Sequence, residues 1–400
     1  MQSQSQNRPR STRSSRRKTN VSYLLAPSWP SWIILLSILI VGHQSAFPNA
    51  AAPTKYRIVG YVGGKTNIYA IGVEKLTHVN YAFATVTPDG NVVLRNPDAP
   101  GNLAQLQALK ARSPALKVII SIGGWGADNF SDAALTDASR EKFAASALDM
   151  LKRYALDGID LDWEYPGQPG PGIKFRPEDK QNFTLLLKTL REHLDDLSQT
   201  RGRTGNNRYT LTIASSDGEY FDHTEMDKLH IYLDWINVMT YDLYNIATPT
   251  TGHHTGLYPS TSGPANQRCT ETAIKQHLAA GIPASKLVIG AAFYGRGWTD
   301  VNPTNNGLYQ QGRFVQAYSY AELQAKYINQ NGFKRLWDDQ AKAPYLWNPA
   351  TKSLITYDDP ESLKAKAEYV RSHQLGGIMY WEHSNDPGES LLNAIAVSLK

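Results

Sequence analysis

Cysteine is nearly absent from the 400-residue sequence, in which Cys269 is the only one. A single cysteine excludes an intrachain disulfide and a cluster of thiolate metal ligands. An excess of positive charge is also absent from residues 53–400. The formal net charge of +5 includes six cations and no acid before residue 20, which leaves −1 for residues 53–400. Without a basic surface to attract phosphates, we expect no nucleic acid as a partner.

A long hydrophobic run is also missing. The longest apolar stretch, from Trp32 to Gly42, has eleven residues, whereas a helix that spans a bilayer core of ~30 Å needs about 20. A basic segment precedes it and small residues ending at Ala52 follow it, which is the order of parts in a secretory signal peptide. We therefore predict that residues 1–52 are a signal peptide and that the protein is secreted, extracellular or periplasmic, with no stable membrane association after cleavage. An N-terminal membrane anchor is the alternative.

What the sequence does contain, from residue 57 onward, is an alternation of strand and helix patterns. Eight short runs rich in β-branched or aromatic residues are separated by amphipathic stretches. Repeated strand-then-helix units with buried strands predict an α/β fold, a (β/α)8 TIM barrel over residues 53–400. The predicted strands are Arg57–Val62, His78–Thr85, Lys117–Ile122, Gly158–Trp163, Tyr209–Ser215, Trp235–Thr240, Leu287–Phe293 and Gly376–Trp381.

Two segments depart from the simple repeat. Residues 88–91, Pro-Asp-Gly-Asn, predict a hairpin turn after the second strand. About 60 residues, roughly 298–358, separate the seventh strand from its helix, too many for a loop without structure of its own. We predict a small α+β insertion there. It leaves the carboxyl-terminal end of a barrel strand, where barrel active sites are built, so it would form one wall of a substrate cleft.

The most informative segment, DGIDLDWEYP, begins at residue 157 and alternates acidic with apolar residues. Side chains on a strand alternate between its two faces, so Asp160, Asp162 and Glu164 share one face. The apolar residues between them share the other face, which packs on helices in a barrel. The sequence therefore predicts that the acids converge inside the barrel, at the end of a strand that Pro166 terminates.

Three carboxylates this close cannot all ionise cheaply, so at least one pKa must rise. A carboxyl group that keeps its proton near neutral pH is what a general acid needs to protonate a glycosidic oxygen. Glu164 is the outermost and longest of the three, and we expect it to reach the substrate. The acids could instead pair with buried arginine or lysine, or bind Mg²⁺ or Ca²⁺. Because residues 157–166 include no basic residue and no histidine, we predict neither a metal nor a cofactor.

The same segment resembles the DxxDxDxE signature of glycoside hydrolase family 18, the chitinases and their relatives. It matches the signature at Asp157, Asp160, Asp162 and Glu164. Residues 121–125, SIGGW, are similar to the family's SxGG element, and residues 239–242, MTYD, to its MxYD element. The resemblance extends over about 340 residues, from residue 56 to residue 400.

This resemblance implies retaining hydrolysis of β-1,4 linkages in chitin and N-acetylglucosamine oligomers, endo- or exo-acting, with assistance from the substrate itself. The acetamido oxygen of the sugar attacks its own anomeric carbon and forms an oxazolinium. By resemblance Glu164 is the acid, Asp162 orients the acetamido group and Asp160 tunes the charge of Asp162. Tyr241 donates to the acetamido oxygen, and Asp242 contacts the same sugar.

Residues at the ends of other strands complete the predicted substrate site. Met239 shares a strand face with Tyr241 and is either ordinary core or a wall of the acetyl pocket. Trp381 ends the eighth strand, where family members place a tryptophan under the sugar, although a buried tryptophan taken alone is more often core. The further candidates for substrate contact are Trp125, Tyr165, Tyr61, Gly124, Tyr294 and Trp298. The adjacent His253 and His254 are interpreted as part of a surface loop rather than as metal ligands.

The predicted partner is a neutral, repetitive polymer, chitin or N-acetylglucosamine oligosaccharides, and the protein is predicted to be a monomer. An endo-β-N-acetylglucosaminidase or a peptidoglycan-directed hydrolase would keep the same motif. A non-catalytic, lectin-like chitin-binding protein on this scaffold typically lacks the acid or its aspartate neighbour, and Glu164 and Asp162 are both present here. The insertion after the seventh strand favours a deep cleft for chitin-type chains.

Overall fold

The computed structural model describes residues 55–400 of the chain. The predicted signal peptide, residues 1–52, lies outside the described residues. The strands are, in chain order, β1 (Arg57–Val62), β2 (His78–Val86), β3 (Val92–Val93), β4 (Lys117–Gly123), β5 (Gly158–Asp162), β6 (Thr210–Ser215), β7 (Trp235–Val238), β8 (Leu287–Ala292), β9 (Tyr294–Thr299), β10 (Arg313–Ser319), β11 (Lys334–Asp338), β12 (Ala343–Asn348), β13 (Ser353–Tyr357) and β14 (Gly377–Trp381).

Eight of these strands close into a parallel barrel. The order around it is β1, β14, β8, β7, β6, β5, β4, β2, and β2 pairs back with β1. Each predicted strand corresponds to a barrel strand, with boundaries that agree within two residues. The predicted (β/α)8 fold is confirmed, and the hairpin after the second strand is present as β3, which pairs antiparallel with the end of β2.

Helices cover the outside of the barrel, and one further helix belongs to the insertion described below. They are α1 (Ala99–Ala108), α2 (Phe130–Ala134), α3 (Asp137–Arg153), α4 (Asp179–Thr200), α5 (Met226–Leu229), α6 (Thr270–Ala279), α7 (Tyr320–Lys326), α8 (Pro360–Ser372) and α9 (Ser390–Ser398). Local sequence sets several of their starts. The Thr136 hydroxyl accepts from the backbone N–H of Ser139 and begins α3, and Asp359 caps α8, whose first residue is Pro360. Among residues 55–400, no helix is long and apolar enough to cross a bilayer.

The alternation predicted for β5 is realised in the packing. Ile159, Leu161 and Trp163 belong to the main hydrophobic core outside the barrel. Trp163 stacks on Phe130 at a centroid distance of 5.3 Å and meets Phe183 edge-on at 5.5 Å. Because this face is filled by helix side chains, the acidic face of the strand has to lie inward.

The insertion is an antiparallel sheet of five strands, in the order β10, β9, β13, β12, β11, together with α7. Its first strand begins at Tyr294, four residues before the predicted start at residue 298. Trp298 is only 2% exposed and packs with Leu354 and Trp347 in the core of this sheet. The prediction of Trp298 as a cleft aromatic was therefore wrong, because the alternation of β9 turns its indole into the insertion.

Candidate active site

A cleft of about 1050 Å³ lies at the carboxyl-terminal ends of the barrel strands. Asp162, at the end of β5, and Glu164, two residues later, line its floor, and Phe314 and Tyr318 of the insertion line one wall. The insertion thus forms one side wall of the cleft, as predicted from its position after the seventh barrel strand.

Asp160 lies deepest and is fully hydrogen-bonded inside the barrel. Its carboxylate accepts hydrogen bonds from four side chains on four other strands. The donors are Tyr61 at 2.9 Å, Ser121 at 2.8 Å, Thr212 at 2.6 Å and Asn237 at 3.3 Å. Burial raises the pKa of Asp160, and these hydrogen bonds act in the opposite direction. Asp160 is a fixed, saturated acceptor beneath the cleft rather than a group that meets the substrate.

Asp162 has a different environment from Asp160, although both lie on the inward face of β5, two residues apart. It is 6% exposed, and its Oδ1 is a buried oxygen with no hydrogen-bond partner among the described residues. Burial raises the pKa of Asp162 well above its usual range, and the nearby carboxyl groups of Glu164 and Asp160 raise it further. A buried acceptor without a donor is costly in a finished structure. It is therefore the best indication that a ligand N–H binds here.

Glu164 stands at the outer end of the acidic face and is partly buried in the cleft floor. Burial raises the pKa of Glu164 to about 7, with a further contribution from the negative charge of Asp242. A group with this pKa can hold its proton in neutral solution and release it during a reaction, as a general acid and base requires. Of the two alternatives left open by the sequence, neither is supported here. None of the three acids forms an ion pair with a described cation, and no group of three potential metal ligands occurs within residues 55–400.

The residues after β7 face the carboxylates. Met239 and Tyr241 both line the cleft, and the Tyr241 hydroxyl lies 3.8 Å from the sulfur of Met379. Burial raises the pKa of Tyr241 well above its usual range, followed by the charges of Asp162 and Glu164. The hydroxyl therefore stays protonated and can donate a hydrogen bond into the cleft.

Asp242 follows at once and is held by an arginine that the sequence did not indicate. Arg296, on β9 of the insertion, makes two hydrogen bonds to its carboxylate, at 2.7 and 2.6 Å. Although burial alone would raise it, the contacts with His254 and Arg296 lower the pKa of Asp242 well below its usual range. Asp242 is thus an ionised group that couples the barrel to the insertion at the cleft.

His253 and His254 are not on a surface loop, as the sequence had suggested. They are 3% and 0% exposed. His254 lies 3.6 Å from the Asp242 carboxylate, and His253 lies 3.2 Å from Asp338 of the insertion. The loop that carries them is covered by the insertion, a contact between residues distant in sequence that a local pattern does not reveal.

Aromatic side chains form much of the cleft surface. Trp381, Trp125, Tyr165 and Tyr294 all line it, as predicted, and Trp125 is 69% exposed. Trp381 stacks with Phe83 at a centroid distance of 5.5 Å, an arrangement that no sequence motif indicated. Flat, partly exposed rings of this kind suit the apolar face of a sugar.

Two other predicted contact residues do not reach the cleft. Tyr61 is 2% exposed and lies beneath the floor, where its hydroxyl donates to Asp160. Gly124 contributes only its backbone, and its N–H donates to the carbonyl of Asp162 at 2.8 Å. Its φ of +92° favours glycine, and a Cβ at this position would collide with Phe83. Both residues support the site, but neither lines it.

Comparison with known proteins now identifies the family. The family model described as glycosyl hydrolases family 18 matches residues 57–386. The chain belongs to glycoside hydrolase family 18. It is 39% identical to Chitinase A1 of Niallia circulans over 92% of this chain and 62% of that protein, and 29% identical to Chitinase B of Serratia marcescens over 80% and 75%. The chain therefore spans less than two thirds of the length of the first of these relatives.

A solved structure supports the same assignment. A family 18 N-acetylglucosaminidase from Paenibacillus barengoltzii is 41% identical and superposes with a TM-score of 0.79, covering 86% of this chain and 99% of its own. The family signature also contains Asp157, which lies away from the cleft. It forms ion pairs with Lys110 at 2.6 Å and Arg203 at 2.8 Å and accepts from the backbone of Val118. In this chain the first aspartate of the signature is thus a structural residue that joins β5 to β4.

Proposed function

We propose that this protein is a chitinase, which hydrolyses the β-1,4 linkages of chitin and N-acetylglucosamine oligomers with retention of configuration. The observation that supports this most directly is the unpartnered, buried Oδ1 of Asp162 beside a Glu164 whose pKa is about 7. An acetamido N–H would supply the missing donor. The names of the curated relatives, Chitinase A1 and Chitinase B, agree with this proposal.

In the first step the protonated Glu164 donates its proton to the glycosidic oxygen. The bond between that oxygen and the anomeric carbon breaks, and the acetamido oxygen of the same sugar forms a new bond to this carbon. Asp162 accepts the acetamido N–H and stabilises the positive charge of the oxazolinium. An intramolecular nucleophile is favoured because a well-oriented neighbouring group has an effective molarity of roughly 10⁵ M or more.

In the second step the ionised Glu164 takes a proton from water as that water attacks the anomeric carbon. The bond to the acetamido oxygen breaks, and Glu164 is again protonated. Each step inverts the anomeric centre, so the product keeps its β configuration. Tyr241, as a donor, would hold the acetamido oxygen while charge develops on it, and Asp242 would contact the same sugar.

The test uses N-acetylglucosamine hexamer and its fully deacetylated counterpart. Proton NMR at early times should show β-anomer products from the acetylated hexamer, and mass spectrometry in isotopically labelled water should place one label on each new reducing end. The glucosamine hexamer should remain intact because it has no acetamido oxygen. Initial α-anomer products, or equal cleavage of both oligomers, would refute the substrate-assisted scheme.

A second candidate is the exo-acting release of single N-acetylglucosamine units. The 41% identity to a family 18 protein described as an N-acetylglucosaminidase favours it. A time course on the hexamer distinguishes the two actions. An endo-acting enzyme gives dimers to tetramers at once, whereas an exo-acting enzyme of this type gives monomer and pentamer first.

We further propose that the protein is exported and acts as a monomer. The support for export is the order of basic, apolar and small residues in 1–52. The near-neutral charge of residues 53–400 suits a catalytic domain that meets an uncharged, insoluble polymer outside the cell.

A further inference from the structure

A second cavity, of about 360 Å³, opens at the amino-terminal end of the barrel. Its lining includes Arg57, the first residue of β1, and Gly376, Lys286 and Asp234, which directly precede β14, β8 and β7. These four strands are neighbours around the barrel and run parallel, so their first residues meet at one mouth. The cleft with Glu164 lies at the opposite ends of the strands. The cavity is thus separate from the candidate active site.

The charged groups that line this cavity are three cations and one acid. They are Lys55, Arg57, Lys286 and Asp234. The carboxylate of Asp234 is already occupied by groups that do not line the cavity. Its Oδ1 accepts from Arg208 at 2.6 Å. Its Oδ2 accepts from Arg191 at 3.2 Å and from the backbone N–H of Leu211 at 2.8 Å. Two arginines outside the cavity therefore neutralise its one acid.

The two inner cations, Arg57 and Lys286, use backbone carbonyl groups instead of carboxylates. Arg57 donates to the carbonyl of Ser285 at 3.1 Å, and Lys286 donates to two carbonyls of the loop before β7 at 2.8 and 2.6 Å. Burial lowers the pKa of both groups, because the charge of Asp234 offsets only part of their lost hydration. Within residues 55–400, neither cation lies within 4 Å of a carboxylate oxygen. An anion in the cavity would supply the missing counter-charge.

Positive charge extends across the mouth of the barrel beyond this cavity. His78, at the start of β2, shows its effect, because burial together with the charges of Arg57 and Lys117 lowers the pKa of His78 to about 3. Residues 53–400 carry a net charge of −1, so this excess is local. A concave surface of one sign of charge concentrates ligands of the other sign.

We infer that this cavity is a second ligand site, which binds a phosphate-type oxyanion between Arg57, Lys286 and Lys55. The planar N–H groups of a guanidinium match the oxygens of such an anion, and the two ammonium groups add point charges. A cavity of about 360 Å³ has the size of a small-ligand pocket, so it holds either a free phosphate or a phosphate ester with a small organic group. The inference is independent of the proposed hydrolysis, because no residue of the cleft takes part.

The experiment titrates the protein with inorganic phosphate and with glycerol 3-phosphate in a calorimeter, at constant ionic strength. Each should bind at one site with a Kd of about 1 mM, and sodium chloride should give no saturable heat. Arg57→Gln should weaken binding by roughly ten-fold or more, because charge-assisted hydrogen bonds are lost. Lys55→Gln should weaken it by roughly two- to five-fold, as expected for one exposed ion pair. Since Lys55 is exposed, this second variant tests the site even where Arg57→Gln does not fold.

Arg268→Gln is the matched control, since Arg268 lines the cleft and not this cavity. It should bind phosphate as the wild type does. Loss of binding in Arg268→Gln alone would place the anion in the cleft and overturn the inference. Absence of saturable binding, or wild-type affinity in both cavity variants, would overturn it as well. Tighter binding of glycerol 3-phosphate than of phosphate would identify an ester as the ligand, and equal affinities would identify the free ion.

Discussion

Asp160, Asp162 and Glu164 are chemically alike, and their neighbours make them different. Asp160 accepts four hydrogen bonds and has no capacity left for a ligand. Asp162 lies beside it with a buried oxygen that has no donor in the described protein. Glu164 meets the cleft with a pKa of about 7. The division into support, acceptor and acid therefore follows from hydrogen bonding and burial at each position.

Replacement of Glu164 by glutamine tests the role of the acid. Glu164→Gln keeps the size and polarity of the side chain but cannot transfer a proton, so kcat should fall by about 10²-fold or more. Binding of the hexamer, measured by calorimetry, should be retained. Glu192→Gln, a change of an exposed glutamate on α4, serves as the control and should leave kcat unchanged. Normal turnover by Glu164→Gln would exclude Glu164 as the acid.

The raised pKa of Glu164 also predicts how stability depends on pH. In the unfolded chain the carboxyl group titrates near its usual 4.5, and in the folded protein near 7. Folding favours the neutral form of the Glu164 carboxyl group. The contribution of this group to the free energy of unfolding is therefore complete below pH 4.5 and is lost as the pH rises through 7. Glu164→Gln should therefore be more stable than the wild type at pH 8, by about 1–3 kcal/mol, and equally stable at pH 4.

Thermal unfolding of both proteins at the two pH values measures this difference. A difference in Tm that was the same at pH 4 and pH 8 would show that the gain came from packing and not from protonation.

Asp162 should matter for the chemical step more than for binding. Asp162→Asn keeps an oxygen that can accept the acetamido N–H but removes the negative charge that faces the oxazolinium. Loss of one such preorganised interaction typically lowers kcat by about 10²- to 10³-fold. Steady-state kinetics on the hexamer should show this fall in kcat with little change in KM. A large rise in KM with unchanged kcat would instead assign Asp162 to ground-state binding.

At the scale of elements, β5 connects sequence to site. Its alternating pattern puts Ile159, Leu161 and Trp163 against helices, and this alone orients the acids inward. The period of two is a property of any strand, so the prediction needed only the local sequence and the barrel fold. The loop with His253 and His254 shows the opposite case, because its burial depends on an insertion that starts some 40 residues later in the chain.

The attachment of the insertion to the barrel depends on a fully buried ion pair. Lys366 of α8 contacts Asp358 at 2.6 Å, both at 0% side-chain exposure, just after the last strand of the insertion. Asp358 also accepts from the backbone N–H of Ala292 at the end of β8, and Lys366 donates to Thr255. These contacts join the loop after β7, β8, the insertion and α8 at one point behind the cleft wall.

Removal of the lysine should leave the aspartate buried and unpaired. Lys366→Ala is expected to lower the free energy of unfolding by about 3–5 kcal/mol, measured by urea denaturation. Lys364→Ala, an exposed position on the same helix, should change it by less than about 0.5 kcal/mol. Equal denaturation midpoints for the two variants would show that the pair is dispensable.

At the scale of the whole molecule, the prediction concerns the exported form. If residues 1–52 are a cleaved signal, protein recovered from the medium of an expressing culture should begin near residue 53. Its mass in sedimentation equilibrium should equal one copy of residues 53–400. N-terminal sequencing and ultracentrifugation check both statements. Recovery of the full-length chain only in the membrane fraction would favour the anchored alternative.

The sequence by itself determined the barrel, the inward acids and the family, because strand period, strand-helix alternation and a spaced motif are local properties. Tertiary structure alone decided which of these groups line the cleft. Arg296 binds Asp242, Phe83 stacks on Trp381, and Glu219 lines the cleft. The predicted contact residues Trp298, Tyr61 and Gly124 do not line it. These outcomes depend on contacts between residues far apart in the chain, whose burial and pairing no local pattern encodes.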